Sequence, residues 1–237
     1  MSLGKPFSKN GSIFLSFIIS LQKDICNSLL KYEHKNILIS DPWKKESRSG
    51  GGISCVIENG STFEKAGVNI SAISSSPKTP EEKHIFSMLL NQSNNSTFNL
   101  NSAKYFVTGI SLVIHPLNPN IPTVHMNYRF FEIKNKTESI WWIGGGSDLT
   151  PYFLIEEDCI HFHKTLQHAC NTIDKTLYPE FKKKCDTYFF LPHRNEHRGI
   201  GGIFFDYMHN QSPEKTFKLV KNCANAFLPS YIPIVEK

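Results

Sequence analysis

The segment at residues 123–133 constrains the fold of this 237-residue chain more than any other. Polar and apolar side chains alternate along it, which is the period of a β-strand with two different faces. One face is apolar and carries Val124, Met126, Tyr128 and Phe130. The other face carries an imidazole, an amide and a guanidinium, from His125, Asn127 and Arg129. Such a row of polar groups predicts the wall of a binding site, with the solvent face of an edge strand as the alternative.

The preceding segment, residues 106–115, is a second predicted strand. The seven residues between the two strands contain three prolines, which end both strands and force a connection. Strands that follow one another through a short link usually pair antiparallel. In that pairing Ser111 and His115 join the polar row, because they share one face of their own strand.

The rest of the chain mixes helices and strands without a regular βαβα order. Helices are predicted over residues 13–30, 80–90, 159–173, 178–189 and 213–227. Strands are predicted over residues 53–58 and 200–208, and surface loops over residues 47–52, 71–79 and 91–102. This order predicts an α+β fold with a mainly antiparallel sheet, formed by a single domain over residues 1–237.

Composition excludes several classes of protein. Apolar residues make up 40% of the chain and charged residues 20%, which is not the balance of a disordered protein. The net charge of +5 suits an anionic ligand but is too diffuse to predict nucleic-acid binding. No run of 18 or more apolar residues is present, which argues against a membrane span, and residues 13–21 are more typical of a buried helix than of a signal peptide. The six cysteines form no CxxC pair and indicate reduced, buried thiols of an intracellular protein.

Three consecutive glycines in residues 141–151 let the backbone approach a flat ligand closely, and Asp148 follows them directly. The alternative is a loop with Asp148 in a turn or a helix cap. The segment has neither GKS or GKT nor a GxGxxG after a strand, so a nucleotide site is disfavoured. Only four basic residues are arginines, and Arg129, Arg194 and Arg198 are therefore candidates for planar, two-pronged binding of carboxylates.

The histidines give weak evidence for a metal site. His161 and His163 are two residues apart and do not share a helix face. His193 and His197 have the spacing that clasps a metal on a helix, but the neighbouring proline and glycines favour an irregular basic loop. A structural zinc site is only weakly supported, because no cysteine pair accompanies these histidines.

Four long segments carry a more specific signal: GGISCVIENGSTFEKAGVNIS (residues 51–71), TGISLVIHPLNPNIPTVHMNYRFFE (108–132), WWIGGGSDLTPYFLIEEDCIHFH (141–163) and YPEFKKKCDTYFFLPHRNEHRGIGGIFFDYM (178–208). In order and spacing they resemble the signature blocks of the oxygen-dependent coproporphyrinogen III oxidase family of haem biosynthesis. The resemblance implies a large, flat antiparallel sheet covered by helices on both faces. It also implies oxidative decarboxylation of two propionates of coproporphyrinogen III to vinyl groups, with molecular oxygen as co-substrate and no organic cofactor.

The same resemblance implies roles for individual residues. His125, Asp148 and Arg129 match catalytic positions, as a general acid/base, a carboxylate facing the pyrrole nitrogens and a propionate-binding arginine. Substrate-binding positions are matched by Ser111, Asn127, Tyr128 and Arg129. A divalent metal site assigned in some bacterial members is matched by His115, His125, His163 and His193. The alternative for His115 and His193 is orienting or binding propionates.

One departure from the family pattern lies at the C-terminus, because family members continue past the segment that matches residues 230–237. The resemblance therefore implies a truncated version of a homodimeric oxidase, whose activity stays open. A non-catalytic porphyrin-binding fragment or carrier of the same fold is one alternative, and a histidine-metal hydrolase using His115, His125 and His193 is another. A cytoplasmic location is expected, since the N-terminus lacks the Arg-rich pattern of a transit peptide, and mitochondria and plastids stay open.

Overall fold

The computed structural model describes residues 3–35, 37–46, 49–209 and 212–237. Its helices are α1 (Lys9–Leu30), α2 (Pro80–Gln92), α3 (Glu156–Asn171), α4 (Leu177–Tyr188), α5 (Pro213–Asn225) and α6 (Phe227–Val235). Its strands are β1 (Ile39–Lys44), β2 (Ser49–Glu58), β3 (Phe63–Ser75), β4 (Lys104–Pro116), β5 (Thr123–Lys134), β6 (Ser139–Thr150), β7 (Phe190–Leu191), β8 (Glu196–His197) and β9 (Gly201–Met208).

Seven strands form one antiparallel sheet in the order β1-β2-β3-β4-β5-β6-β9. The predicted pairing of β4 with β5 is confirmed, and Ser111 lies opposite Asn127. On the other side of β5, His125 lies opposite Asp148 and Arg129 opposite Gly144. Strand β5 is therefore a central strand, so its polar face is not the solvent face of a sheet edge.

Helix α1 covers the apolar face of the sheet. Its N-cap Ser8 accepts a hydrogen bond from the backbone N–H of Gly11, which satisfies one of the free donors of the first turn. Apolar side chains recur along one side of the helix, and Phe14 packs against Phe130 of β5 with ring centroids 5.7 Å apart. Helices α3, α5 and α6 extend this layer, and their apolar side chains join the same core as those of α1.

At one end, the opposite face of the sheet is covered by α2. Helix α2 packs there through Phe86 and Leu90 against Tyr105 and Phe131, in a smaller apolar cluster that also contains Trp142. The rest of this face carries the polar row of β5. The predicted α+β fold, an antiparallel sheet with helices on both faces, is confirmed, with the two faces covered unequally.

Several predicted boundaries need correction. Residues 49–52 belong to β2 and residues 71–75 to β3, not to surface loops, and Ser47 and Arg48 lie outside the described residues. Residues 141–150 lie within strand β6, which excludes the alternative of a loop for this segment. In each case the small or polar residues that suggested a loop form part of a paired strand, because neighbouring strands satisfy their backbone groups on both sides. The short helix α6 follows α5 and was not anticipated.

Helix α1 is long and apolar enough, by length and hydropathy, to cross a membrane. Core helices of globular proteins and signal sequences meet the same criterion, so a single helix of this kind is weak evidence. In this fold the side chains of Phe14, Ile18 and Ile25 are buried against the sheet.

Gly145 offers a direct test of the sheet packing. A Cβ atom at this position would lie 2.3 Å from Cδ1 of the fully buried Tyr128 and 2.6 Å from the carbonyl oxygen of Asn127. We expect Gly145→Ala to lower the free energy of unfolding by about 1–3 kcal/mol, the usual effect of overpacking a core. The matched control is Gly67→Ala, because a Cβ at Gly67 would meet only Asn69 Nδ2, at 3.4 Å. Urea unfolding of both variants gives the comparison, and equal loss in the two would contradict this packing.

Candidate active site

The polar row of β5 forms the floor of a cavity of about 380 Å³ on the open face of the sheet. Ser111 of β4, the row itself and Asp148 of β6 contribute to its lining. Alternation along β5 places the three polar side chains on this face, and the antiparallel register brings Ser111 and Asp148 beside them. The predicted convergence is met by His125, Asn127, Arg129 and Ser111, whereas His115, which was predicted to join the row, is exposed near the end of β4 and does not line the cavity.

Asp148 is the most buried charged group of the cavity, with a relative exposure of 3%. Its Oδ2 accepts a hydrogen bond of 2.7 Å from the guanidinium of Arg198, and this ion pair compensates the burial of the carboxylate. Nδ1 of His125 lies 3.4 Å from the same oxygen, but the two are not aligned for a hydrogen bond. This nitrogen is buried and faces the Asp148 carboxylate, so a protonated His125 would lie within ion-pair distance of it.

Arg129 is held by two neighbours on the same face. Its guanidinium donates to Asn127 Oδ1 at 3.1 Å and to Asp206 Oδ2 of β9 at 2.6 Å. Gly144 makes room for this arrangement, because a Cβ there would lie 2.3 Å from Asp206 Oδ1 and 3.2 Å from Arg129 Nε. A guanidinium has five donors, so N–H groups of Arg129 stay available for a carboxylate.

Aromatic side chains border the cavity on the side of α4 and β9. Tyr188 stacks on Phe204 with ring centroids 4.2 Å apart, and the guanidinium of Arg198 lies 3.9 Å from the centre of the Phe189 ring. A cation over an aromatic face is attracted by the ring quadrupole, so Phe189 helps to orient Arg198 toward Asp148. Tyr188 is 64% exposed at the rim of the cavity.

Tyr128 is a correction to the predicted site. Its side chain is fully buried on the opposite face of β5, where its ring lies 6.2 Å from that of Phe205. Residues at odd and even positions of a strand point to opposite faces, so this side chain cannot line the cavity that contains Asn127 and Arg129. Burial also raises the pKa of the Tyr128 hydroxyl well above its ordinary value.

The four histidines that the resemblance assigned to a metal do not come together. His163 lies on α3, where Nδ1 accepts from the Tyr178 hydroxyl at 2.9 Å and Nε2 lies 3.1 Å from the Ile200 carbonyl oxygen. His115 is exposed near the end of β4, with Nδ1 3.4 Å from Thr123 Oγ1, and His193 is exposed in the turn between β7 and β8. Among residues 3–35, 37–46, 49–209 and 212–237, no three His, Cys, Asp or Glu side chains are grouped as a metal site. The residues present therefore do not fit the predicted metal, and the hydrolase alternative built on these histidines loses its ligands.

The environment of His163 differs from that of a metal ligand in another respect. Burial, with a contribution from the nearby charge of Lys182, lowers the pKa of this imidazole below its ordinary value. Its hydrogen bonds to Tyr178 and Ile200 occupy both ring nitrogens. His163 thus acts as a structural link between α3, α4 and the segment before β9.

Two charged contacts of the site were missed at the level of sequence. Asp206 lies on β9, a strand predicted only as buried, and its partner Arg129 is 77 residues away in the chain. Arg198 was noted as an arginine that lysine could not replace, but its contact with Asp148 depends on the pairing of β6 with β9. A lone acidic residue inside an apolar strand, as in residues 203–208, is the signal that could have identified Asp206.

The fold and the cavity together define an α+β protein with a polar cavity, lined by two arginines, on one sheet face. The model of the coproporphyrinogen III oxidase family matches residues 13–237, so the chain belongs to that family. It is 46% identical over 222 residues to the oxygen-dependent coproporphyrinogen-III oxidase of Drosophila melanogaster, covering 93% of this chain and 55% of the relative.

Two further relatives have the same enzyme name and a similar level of identity. The mitochondrial oxygen-dependent coproporphyrinogen-III oxidase of Homo sapiens is 44% identical over 93% of this chain and 48% of its own length. The oxygen-dependent coproporphyrinogen-III oxidase of Prochlorococcus marinus is 42% identical over 100% of this chain and 72% of its own length. The chain thus spans about half the length of the animal relatives.

Proposed function

We propose that this chain carries the catalytic site of an oxygen-dependent coproporphyrinogen III oxidase. The single observation that supports this most is the convergence of His125, Arg129 and Asp148 on one cavity, in a chain of that family. The substrate would be coproporphyrinogen III, and the product would be protoporphyrinogen IX. Molecular oxygen would be the co-substrate, because the names of the relatives call those proteins oxygen-dependent.

The proposed reaction converts each of two propionate arms to a vinyl group. One C–H bond of the arm and the bond to its carboxylate break, a C=C bond forms, and CO2 leaves. Molecular oxygen takes up two electrons and two protons, one from the arm and one from solvent, and becomes hydrogen peroxide. The arm supplies the two electrons, and the electron-rich pyrrole to which it is attached would relay them to oxygen.

Each group of the site has a task in this proposal. Arg129 and Asn127 would hold the carboxylate of the reacting arm, because the guanidinium offers planar, paired donors. His125, whose imidazole lines the cavity beside Asp148, would exchange a proton with the substrate. Asp148 would accept from pyrrole N–H groups and stabilise positive charge that develops on the ring. Arg198 would keep this carboxylate oriented.

The second candidate function is a porphyrin-binding fragment or carrier without turnover. It uses the same cavity and the same anion-binding groups. The two candidates predict the same binding and differ in turnover.

Location and assembly are also proposals. We propose a cytoplasmic location, because the six cysteines are free and free thiols are typical of reducing compartments. The human relative, by contrast, is named as a mitochondrial protein. Homodimer formation is favoured by the apolar segment Tyr152, Phe153, Leu154 and Ile155, whose side chains are exposed.

Aerobic turnover tests the proposed function directly. The purified chain is incubated with coproporphyrinogen III in air, and oxygen uptake, hydrogen peroxide and protoporphyrin fluorescence after oxidation are recorded. We expect one molecule of oxygen to be consumed for each vinyl group formed. The rate of oxygen uptake should exceed that of a heat-denatured control. Tight binding of the tetrapyrrole without turnover would favour the carrier, and absence of both would contradict either function.

Arg129→Lys tests the propionate contact. We expect it to weaken substrate binding by about 10- to 100-fold, because a charge-assisted, two-pronged hydrogen bond contributes roughly 1.5–3 kcal/mol and lysine offers only a point charge. Lys183→Ala, which removes a cation from the exposed side of α4, serves as the control and should bind normally. Calorimetric titration under argon measures both, and equal affinities in the two variants would exclude the propionate role of Arg129.

A further inference from the structure

A second cavity of about 230 Å³ lies beside the first on the same face of the sheet. The two cavities share Asn69, Ser111, Asn127 and Arg129, so they meet at the polar row. The second cavity extends from this junction toward β1, where Trp43 forms part of its wall. None of the roles proposed above uses this region, which we call the β1-side cavity.

The sheet register explains how this cavity forms. Trp43 pairs with Gly52, Gly52 with Ser71, Ser71 with Gly109, and Gly109 with Arg129. Two large side chains, on β1 and β5, are therefore separated by three small ones on the strands between them. Four steps of about 4.8 Å between strands place their backbones about 19 Å apart, which is the scale of a tetrapyrrole with its arms.

Trp43 has the position of an aromatic platform. A Cβ at Gly52 would lie 2.5 Å from Cζ2 of its indole, so the ring lies directly over this glycine. It is nevertheless 38% exposed. An indole that is fixed on one side and open on the other can stack against a flat, electron-rich ring.

We propose that the β1-side cavity binds a second pyrrole ring of the substrate, with Trp43 as its stacking partner. This inference rests on the proposed function and adds a substrate-contacting residue to it. The first cavity alone, at about 380 Å³, is near the lower end of ligand pockets, which span about 300–1,000 Å³. Four rings with four propionate arms need more room than that, and the adjoining cavity supplies it.

The lining of the β1-side cavity suits an uncharged part of the ligand. Ser54, Asn69 and Ser71 contribute small polar groups, and the guanidinium of Arg129 lies at the boundary with the first cavity. Hydroxyl and amide oxygens can accept from pyrrole N–H groups. In this arrangement Arg129 holds a carboxylate between the two cavities, one ring lies beside His125 and Asp148, and the next ring lies over the sheet toward Trp43.

Binding without turnover tests this inference. Coproporphyrinogen III is titrated calorimetrically into the full chain under argon, where the oxidation cannot proceed. We expect Trp43→Ala to weaken binding by about tenfold and Trp43→Phe to retain most of the affinity, because phenylalanine keeps an aromatic face. Ser54→Phe, which fills the β1-side cavity from β2, should weaken binding as well.

Controls separate this inference from the proposed function and from folding. Leu117→Ala removes an apolar side chain that is 58% exposed and outside both cavities, and it should bind as wild type does. Thermal unfolding shows whether each variant folds. If Trp43→Ala does not fold, the affinity of Ser54→Phe tests the inference instead. Wild-type affinity in Trp43→Ala, or in a folded Ser54→Phe, would overturn the role of the β1-side cavity while leaving the proposed function intact. Failure of the wild-type chain to bind the tetrapyrrole would instead contradict the proposed function itself.

Discussion

The register of β5 between β4 and β6 is the constraint on which the site depends. Because side chains alternate with a period of two, a slip of one residue would turn His125, Asn127 and Arg129 into the core and expose the apolar side chains instead. Burial of Val124, Met126 and Phe130 against the helical layer makes that slip costly, and hydrogen bonds to strands on both sides fix the pairing. The hydrophobic core thus determines which groups a ligand meets.

Charge compensation lets these groups remain on a partly enclosed face. Asp148 pairs with Arg198, and Arg129 pairs with Asp206, so two carboxylates and two guanidinium groups balance one another around the cavity. Each pair joins residues from different strands or segments and therefore requires the folded sheet. Removing one member of a buried pair leaves the other charge uncompensated, which is why such networks are sensitive to single substitutions.

Much of this arrangement could be predicted from the sequence, because the strongest patterns are local. The alternation of residues 123–133 placed Asn127 and Arg129 on one face, and the apolar spacing of α1 predicted a buried helix that the structure extends by four residues at its start. The glycine-rich residues 49–52 were misread as part of a loop, and a loop stayed open as the alternative for residues 141–150, because paired strands tolerate glycine where a large neighbouring side chain occupies the space. Trp43 over Gly52 and Tyr128 over Gly145 are two such cases.

The long-range pairs could not be predicted, since Asp206 and Arg198 reach the site only through the pairing of β6 with β9. The role of Tyr128 was carried over from the family although the alternation of its own strand argued against it.

The most direct test of the account is a crystal structure of the chain with coproporphyrin III, the oxidised form that cannot undergo the reaction. We predict one propionate on the guanidinium of Arg129, a ligand atom within hydrogen-bond distance of the His125 imidazole, and the macrocycle on the polar face of β5 beside Asp148. A tetrapyrrole bound elsewhere on the molecule, with Arg129 still contacting only Asn127 and Asp206, would contradict it.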